Sequence, residues 1–224
     1  MARQPNPWDR PESLPDLENP DSTSDELYFA IGKALAGWSA VEHELCLLFV
    51  ALFSGKQGYG AYKVYGALPS TAARLSTLKV AAEAIYAEKP EYAAYAKAVL
   101  GLTEKLLARR NDIAHGLIAY RESSGRATLM EPHYNIKHSS IAKNYEGYEF
   151  EARHILGYAE SFRDLKNELQ YAWTLLGVPV RRGLGVRPSA DTSLTVHVEP
   201  SRTALARKLA GLKPLAASRN SVRR

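Results

Sequence analysis

Cysteine is nearly absent from this sequence, which has Cys46 alone among 224 residues. A single thiol cannot close a disulfide within the chain, so the class of small secreted proteins held together by disulfide frameworks is excluded. Cys46 lies in an apolar helical stretch, where a small buried thiol is the ordinary interpretation. The sequence therefore predicts a protein of a reducing compartment.

Long apolar runs are also missing. No stretch approaches the roughly 20 uninterrupted apolar residues of a membrane-spanning helix, and the first 24 residues hold no apolar core typical of a signal peptide. Five prolines in that region predict a disordered leader over residues 1–22. We expect a cytoplasmic protein with no membrane partner.

The basic charge is confined to one end of the chain. Residues 177–224 carry ten Lys and Arg against Asp191 and Glu199, so the net charge of +5 leaves residues 1–176 at −3. A pure nucleic-acid-binding domain would need a basic surface on its folded part. The tail, residues 178–224, is either a diffuse attractor of phosphates or a solvated disordered segment, with a possible short helix at about 202–212.

Helical periodicity begins where the leader ends. Thr23 and Glu26 have the spacing of a capping box and predict a helix over residues 24–53. A Gly-rich stretch, residues 54–66, predicts a break. Further helices are predicted from Ser70 as N-cap, from Pro90 to a stop at Gly116, and over residues 150–176.

The period changes after Gly116. Two short runs around a Ser-Ser-Gly turn predict a β-hairpin at about residues 117–135. No repeat of 20 to 50 residues is present. The predicted fold class is all-α: an up-and-down helical bundle over residues 23–177 with a small β-hairpin insert.

Two charged residues interrupt the apolar faces of the predicted helices. The apolar face of the first predicted helix runs through Trp38 and Leu45, and Glu42 occupies the position between them where an apolar residue is expected. On a later predicted helix, Arg110 lies between the apolar residues Leu106 and Ile113. An unpaired charge facing the core is costly. Either Glu42 and Arg110 pair across two helices, or one of them reaches solvent at a helix edge.

A polar cluster, LARRNDIAHG, closes the predicted helix before Gly116. Arg110 supplies a fork of donors, Asn111 a neutral donor and His115 a proton near neutral pH, which together suit a phosphate group. No second His or Cys lies near them at metal-ligand spacing, and His133 and His138 are too loosely spaced around a loop to predict a metal site. We expect neither a metal nor a cofactor.

The stretch RRNDIAHG resembles the signature of the HEPN superfamily, in which an Arg, a polar neighbour and a His end an inward-facing helix. Residues 37–49 resemble the first long helix of bacterial members, with Trp38 and Glu42 in a Trp-x-x-x-Glu arrangement. The resemblance implies a homodimer that cleaves RNA without a metal ion, in a cleft between its two subunits.

The resemblance also implies roles for the residues. His115 would be the general acid or base, Arg110 would clamp the scissile phosphate, Asn111 would orient the His or the phosphate, and Glu42 would orient Arg110. Arg109 and Tyr120 are weaker candidates for contact with the substrate. The toxin branch of the family has a Tyr two residues after the His; Leu117 stands there, so modification of such a Tyr by an antitoxin is not predicted. A toxin or defence role and a protein regulator remain open.

A second class of function suits the same residues. In a non-catalytic module that binds protein or nucleic acid, Glu42 and Arg110 would form a structural ion pair, and the helix dipole would favour His115 at a helix C-terminus. Geometry discriminates between the two classes. Catalysis requires His115 and Arg110 to face a cleft completed by a second subunit.

Overall fold

The computed structural model describes residues 6–9, 22–53, 58–121, 126–132 and 148–175. The predicted fold class is confirmed, because helices make up most of these residues and the strands form one small sheet. The helices are α1 (Ser24–Phe53), α2 (Gly58–Ala67), α3 (Thr71–Ile85), α4 (Pro90–His115) and α5 (Ala152–Leu175). The strands are β1 (Leu117–Arg121), β2 (Arg126–Met130) and β3 (Glu149–Phe150).

The chain divides into two compact units. The first comprises Met1–Ala40 and Lys105–Asp164, and the second comprises Val41–Glu104 and Leu165–Arg224. Helices α1, α4 and α5 each contribute residues to both units. The sheet and the last turns of α4, which carry the candidate site, belong to the first unit.

Helix α1 begins with the predicted capping box. The backbone N–H of Thr23 donates to Oε2 of Glu26 at 2.8 Å, and the backbone N–H of Glu26 donates to Oγ1 of Thr23 at 3.3 Å. The bond from the Thr23 backbone holds the pKa of the Glu26 carboxyl below its usual value. The predicted helix start is confirmed.

The buried face of α1 differs from the predicted one. It includes Leu27, Ala30, Ala34, Trp38, Val41, Leu45, Leu48, Phe49 and Leu52. Val41 is fully buried and occupies the position assigned to Glu42, which lies at the edge of this face and is partly exposed. The predicted gap at Glu42 was wrong because the buried line passes through Val41 between Trp38 and Leu45.

Helix α1 is long and apolar enough to cross a membrane by length and composition alone. Half of its most apolar 18 residues are buried inside the protein, and the core helix of a soluble protein can have the same length and composition. The expected localisation therefore stays a prediction.

Helix α2 occupies most of the stretch predicted as a break. Three glycines in its sequence each cost a helix about 1 kcal/mol relative to alanine. Tertiary contacts offset this cost. The buried ring of Tyr65 lies 5.4 Å from the ring of Phe49, and the Arg74 guanidinium lies 4.8 Å from the Tyr65 ring centre. The formation of α2 therefore depends on packing against distant residues, which short-range sequence signals do not predict.

Helices α3 and α4 begin where predicted. Ser70 is the N-cap of α3, and its Oγ accepts a hydrogen bond from the backbone N–H of Ala73 at 3.1 Å. The apolar spacing of α3 predicts that Ile85 is buried, but Ile85 is 47% exposed. Tyr86 at the C-cap is buried instead and stacks on Tyr92, with ring centres 5.7 Å apart.

The apolar spacing of the last predicted helix runs through Ile155, Ala159, Phe162, Leu165 and Leu169, and α5 buries all five. Trp38 is a core residue, as predicted, and meets the edge of the Phe162 ring at 5.2 Å. Trp173 lies on the predicted apolar face of this helix and is expected in the core, but it is only partly buried. Leu176, the last predicted member of this face, lies outside the described residues, as do His133, His138 and the basic tail.

The predicted hairpin is confirmed in β1 and β2, which pair antiparallel from Leu117 opposite Met130 to Arg121 opposite Arg126. Strand β3 pairs with the outer edge of β2 and was not predicted, because two residues carry no period. The backbone N–H of Ala127 donates to the carbonyl of Ser22 at 2.9 Å. The start of α1 is thereby attached to the sheet that follows the candidate site.

Candidate functional site

The candidate site lies where α4 ends and β1 begins. A Cβ added to Gly116 would come within 2.7 Å of the Leu129 side chain and 3.0 Å of the Asp112 carbonyl oxygen. Leu129 is buried in β2, so this junction requires a residue without a side chain. His115 is therefore the last residue of the helix, immediately before the chain enters the sheet.

Asn111 and His115 lie on one exposed flank of α4. Their separation of four residues places them one turn apart, and both side chains are exposed. Arg110 lies on the same face as Leu106 and Ile113, which are buried, and is itself partly buried. At about 100° per residue, Arg110 and His115 leave the helix about 140° apart.

A hydrogen bond joins Arg110 to the exposed flank. Its Nη1 donates to Oδ1 of Asn111 at 3.2 Å. Its Nε is buried and has no hydrogen-bond partner among the described residues. The structure thus links Arg110 to Asn111 directly, while His115 shares its flank with Asn111 alone.

Arg109 is shielded at the same helix end. Its Nη1 lies 2.9 Å from Oδ2 of Asp112, and the two side chains are 13% and 14% exposed. The hydroxyl of buried Tyr148 donates to the carbonyl of Asp112 at 2.9 Å. These contacts give Arg109 an internal partner for its charge, and its contact with a substrate stays a prediction.

The hydrogen bond that the structure describes for Glu42 joins it to Thr71 and not to Arg110. The hydroxyl of Thr71, at the start of α3, donates to Oε1 of Glu42 at 3.0 Å within the second unit. Glu42 is partly exposed, so its carboxylate does not require a guanidinium for its solvation. The ion pair with Arg110 stays a prediction.

Two exposed side chains follow the helix end. Tyr120 is 57% exposed and Leu117 is 47% exposed, both on β1. An exposed phenol ring is available for stacking on a base. The structure therefore leaves Tyr120 accessible at the surface of the unit that carries His115.

The described ranges contain no group of three or more His, Cys, Asp or Glu side chains able to hold a metal ion. The predicted site consists instead of a guanidinium, an amide and an imidazole, which bind anions or transfer protons.

The sequence did not single out one contact on the helix that carries the site. Lys105 lies on α4 ten residues before His115, and its ammonium lies 4.0 Å from the ring centre of Trp8 in the described part of the leader. A lone tryptophan among prolines was the available signal.

No protein-family model, curated protein or solved structure matches this chain.

Proposed function

We propose that this protein is a metal-independent endoribonuclease of HEPN type whose active site forms between two copies of the chain. The observation that supports it is the exposed flank of α4, where Asn111 and His115 lie one turn apart and Arg110 donates to Asn111. An amide and an imidazole thus share one accessible flank at the end of α4, and the partly buried guanidinium of Arg110 is hydrogen-bonded to that amide.

The chemistry requires two proton transfers. The imidazole of one His115 removes the proton of the ribose 2′-hydroxyl, and that oxygen forms a bond to the adjacent phosphorus. The bond from phosphorus to the 5′-oxygen breaks, and a protonated imidazole supplies the proton to this leaving oxygen. The products are a 2′,3′-cyclic phosphate and a 5′-hydroxyl.

Arg110 stabilises the charge that gathers on the phosphate oxygens. A guanidinium has five N–H donors, and the bond to Asn111 occupies one of them. Donors that are already oriented stabilise a developing oxyanion more than the ground state. Asn111 holds the guanidinium by its Oδ1, so its role in this proposal is to position Arg110.

A second copy supplies what one chain lacks. One imidazole cannot be unprotonated base and protonated acid at once, so the two His115 side chains of a homodimer divide these tasks. The exposure of His115 and of the following Leu117 and Tyr120 leaves this surface accessible to a second subunit or to RNA. The substrate is RNA, because DNA lacks the 2′-hydroxyl that acts as the nucleophile.

A second candidate is a non-catalytic binding module. The position of Arg110 on the buried side of α4 favours it, because a guanidinium there acts as a structural group. In that case the exposed flank with Asn111 and His115 binds a partner without chemistry.

Cleavage of a mixed RNA substrate in EDTA tests the proposal. Wild type is compared with His115→Ala and Arg110→Ala, with folding checked by circular dichroism. Removing a general acid or base lowers the rate by about 100- to 10,000-fold. The matched controls are His43→Ala and Arg163→Ala, two exposed residues outside the site, and both are expected to cleave like wild type.

Two results would contradict the proposal. One is wild-type protein that does not cleave RNA, and the other is cleavage that persists in His115→Ala. Absence of cleavage together with unfolding of Arg110→Ala favours the binding module.

A further inference from the structure

The sheet of the first unit has one covered edge and one open edge. Its strand order is β1-β2-β3, so β1 pairs with β2 on one side only. The far side of β2 is covered by β3 and by the residues before α1, since the backbone N–H of Ala127 donates to the Ser22 carbonyl at 2.9 Å and Thr23 bridges to Arg126. Within the described ranges, no strand pairs with the outer edge of β1.

The register shows which backbone groups point out of this edge. Ala127 lies opposite Tyr120, and its N–H points to Ser22, away from β1. In an antiparallel ladder successive residues point their hydrogen bonds to opposite sides, and the two members of a pair share one pattern. The N–H and C=O of Tyr120 therefore point away from β2, as do those of Ile118, while Ala119 between them bonds to β2.

Strand β1 lacks the features that commonly keep an edge strand from pairing. Such features include prolines, lysines and bulges. The sequence of β1, LIAYR, holds no Pro, Lys or Gly, and its one charged residue stands at the last position. Its register with β2 runs from Leu117 to Arg121 without a bulge. Leu117 and Tyr120 are 47% and 57% exposed, so the outer edge of β1 is accessible to another strand.

The sequence beyond α5 contains a run of residues typical of a strand. Residues 193–199, SLTVHVE, alternate apolar and polar side chains and are followed by Pro200. The apolar members are Leu194, Val196 and Val198. This tail run lies outside the described residues. A strand is not stable by itself, so a run of this kind needs the edge of an existing sheet.

The chain before the tail run is long enough to reach another molecule. Helix α5 ends at Leu175, and residues 176–193, 18 in all, separate it from Leu194. An extended chain of that length spans up to about 60 Å. A two-fold arrangement, in which each copy gives its tail run and accepts that of the other, is closed and leaves neither edge unpaired.

We propose that the tail run of a second copy pairs with the outer edge of β1, and that this strand exchange holds the two copies together. The backbone groups of Ile118 and Tyr120 provide the affinity, and the alternating side chains of the run fix its register. Because β1 begins two residues after His115, the exchange places the second copy beside the candidate site. The inference rests on the proposed function only for the presence of a second copy.

Hydrogen exchange of single amides, followed by NMR on the isotope-labelled full chain, measures the pairing. In wild type the amides of Ile118 and Tyr120 are expected to exchange slowly, although they do not bond to β2. The tail variant combines Thr195→Pro with Val196→Pro, because one of two successive amides in a strand faces its partner. It is expected to speed the exchange of both amides by at least about tenfold. The Ala119 amide, which bonds to β2, is the internal reference.

A matched control exists in the same tail. Gly185→Pro combined with Val186→Pro makes the same kind of change before the tail run. Exchange at Ile118 and Tyr120 is expected to be as slow in this control as in wild type. Equally slow exchange in the tail variant would overturn the inference.

Mixing shows which copy supplies the tail run. The labelled tail variant, whose β1 edge is intact, is mixed with an excess of unlabelled wild type. Slow exchange at Ile118 and Tyr120 of the labelled chain is expected to return, since only a second copy can supply the run there. Slow exchange that is present in wild type and does not return on mixing would overturn the inference.

Sedimentation equilibrium tests the accepting edge. Ile118→Pro removes an N–H that β2 does not use, so the bonds between β1 and β2 persist. Ile118→Pro and the tail variant are both expected to raise the dissociation constant of the dimer by at least about tenfold. If Ile118→Pro does not fold, the tail variant decides, because its substitutions lie in the tail. An unchanged dissociation constant in the tail variant would overturn the inference.

The outcomes distinguish this inference from the proposed function. Wild type that cleaves RNA while the Ile118 and Tyr120 amides exchange rapidly would overturn the inference alone. Slow exchange that returns on mixing, in a protein that does not cleave RNA, would support the inference and overturn the ribonuclease. A wild type that remains monomeric would overturn both.

Discussion

The indole of Trp173 donates a hydrogen bond of 2.7 Å to Oε2 of Glu44 within the second unit. Glu44 is only 6% exposed, and the Lys166 ammonium lies 3.9 Å from its other carboxylate oxygen. A buried carboxylate needs such donors, because water no longer solvates it. Trp173 therefore stabilises the second unit through its N–H as well as through its ring.

Trp173→Phe keeps most of the ring packing and removes this donor. We expect the free energy of unfolding to fall by about 1.5–3 kcal/mol, the range for a bond to a charged group. Urea denaturation measures the change. Combining Trp173→Phe with Glu44→Leu is expected to recover part of the loss, since no buried acceptor then lacks its donor. A loss below about 0.5 kcal/mol in the single variant would contradict the prediction.

Gly116→Ala tests the close approach at the end of α4. Its Cβ would meet the buried Leu129 side chain at 2.7 Å, so the junction must shift. We expect a loss of about 1–3 kcal/mol in thermal or urea unfolding, typical of overpacking. Gly157→Ala is the control, because nothing lies within 4 Å of a Cβ there. It is expected to stabilise α5 by up to about 1 kcal/mol.

Stability is expected to decrease at alkaline pH. Burial raises the pKa of Tyr86 to about 12, and burial also raises the pKa of Tyr65 and Tyr95. The folded state therefore holds these phenol protons more tightly than the unfolded chain, whose tyrosines ionise near pH 10. This contribution is fully present below pH 10 and is lost as the pH rises towards 12.

Urea denaturation between pH 9 and pH 11.5, the accessible part of that window, measures this effect. Tyr86→Phe cannot ionise and is expected to show a shallower decrease than wild type. Tyr59→Phe, at an exposed position, is the control and is expected to follow wild type. Equal slopes for Tyr86→Phe and wild type would contradict the assignment.

Arg110→Lys separates charge from geometry at the candidate site. Lysine keeps the positive charge and loses the planar fork and the bond to Asn111. We expect kcat/KM for RNA cleavage to fall by at least about tenfold, because a point charge orients the phosphate less well. Arg163→Lys, on the exposed side of α5, serves as the control. Wild-type activity in Arg110→Lys would show that the fork has no role.

Signals that act within three or four residues could be read from the sequence. The capping box of Thr23 and Glu26, the N-cap Ser70 and the helix stop before Gly116 each involve partners close in the chain. Their bonds form in any helix that starts or ends there. The sequence therefore predicted most helix ends and the hairpin after Gly116.

Signals that depend on distant partners could not be read in this way. Helix α2 forms despite its glycines because Tyr65 packs against Phe49. The two residues of β3 become a strand only because the edge of β2 is available to pair with them.

The sequence by itself determined the residue types of the candidate site and their order on one helix. Only the tertiary structure decided that Asn111 and His115 are exposed, that Arg110 starts from the buried side, and that Trp8 lies on Lys105. Spacing along a helix sets the angle between side chains, but burial depends on what packs against each face. The burial of each side chain is therefore set by the whole fold and not by its position in the sequence.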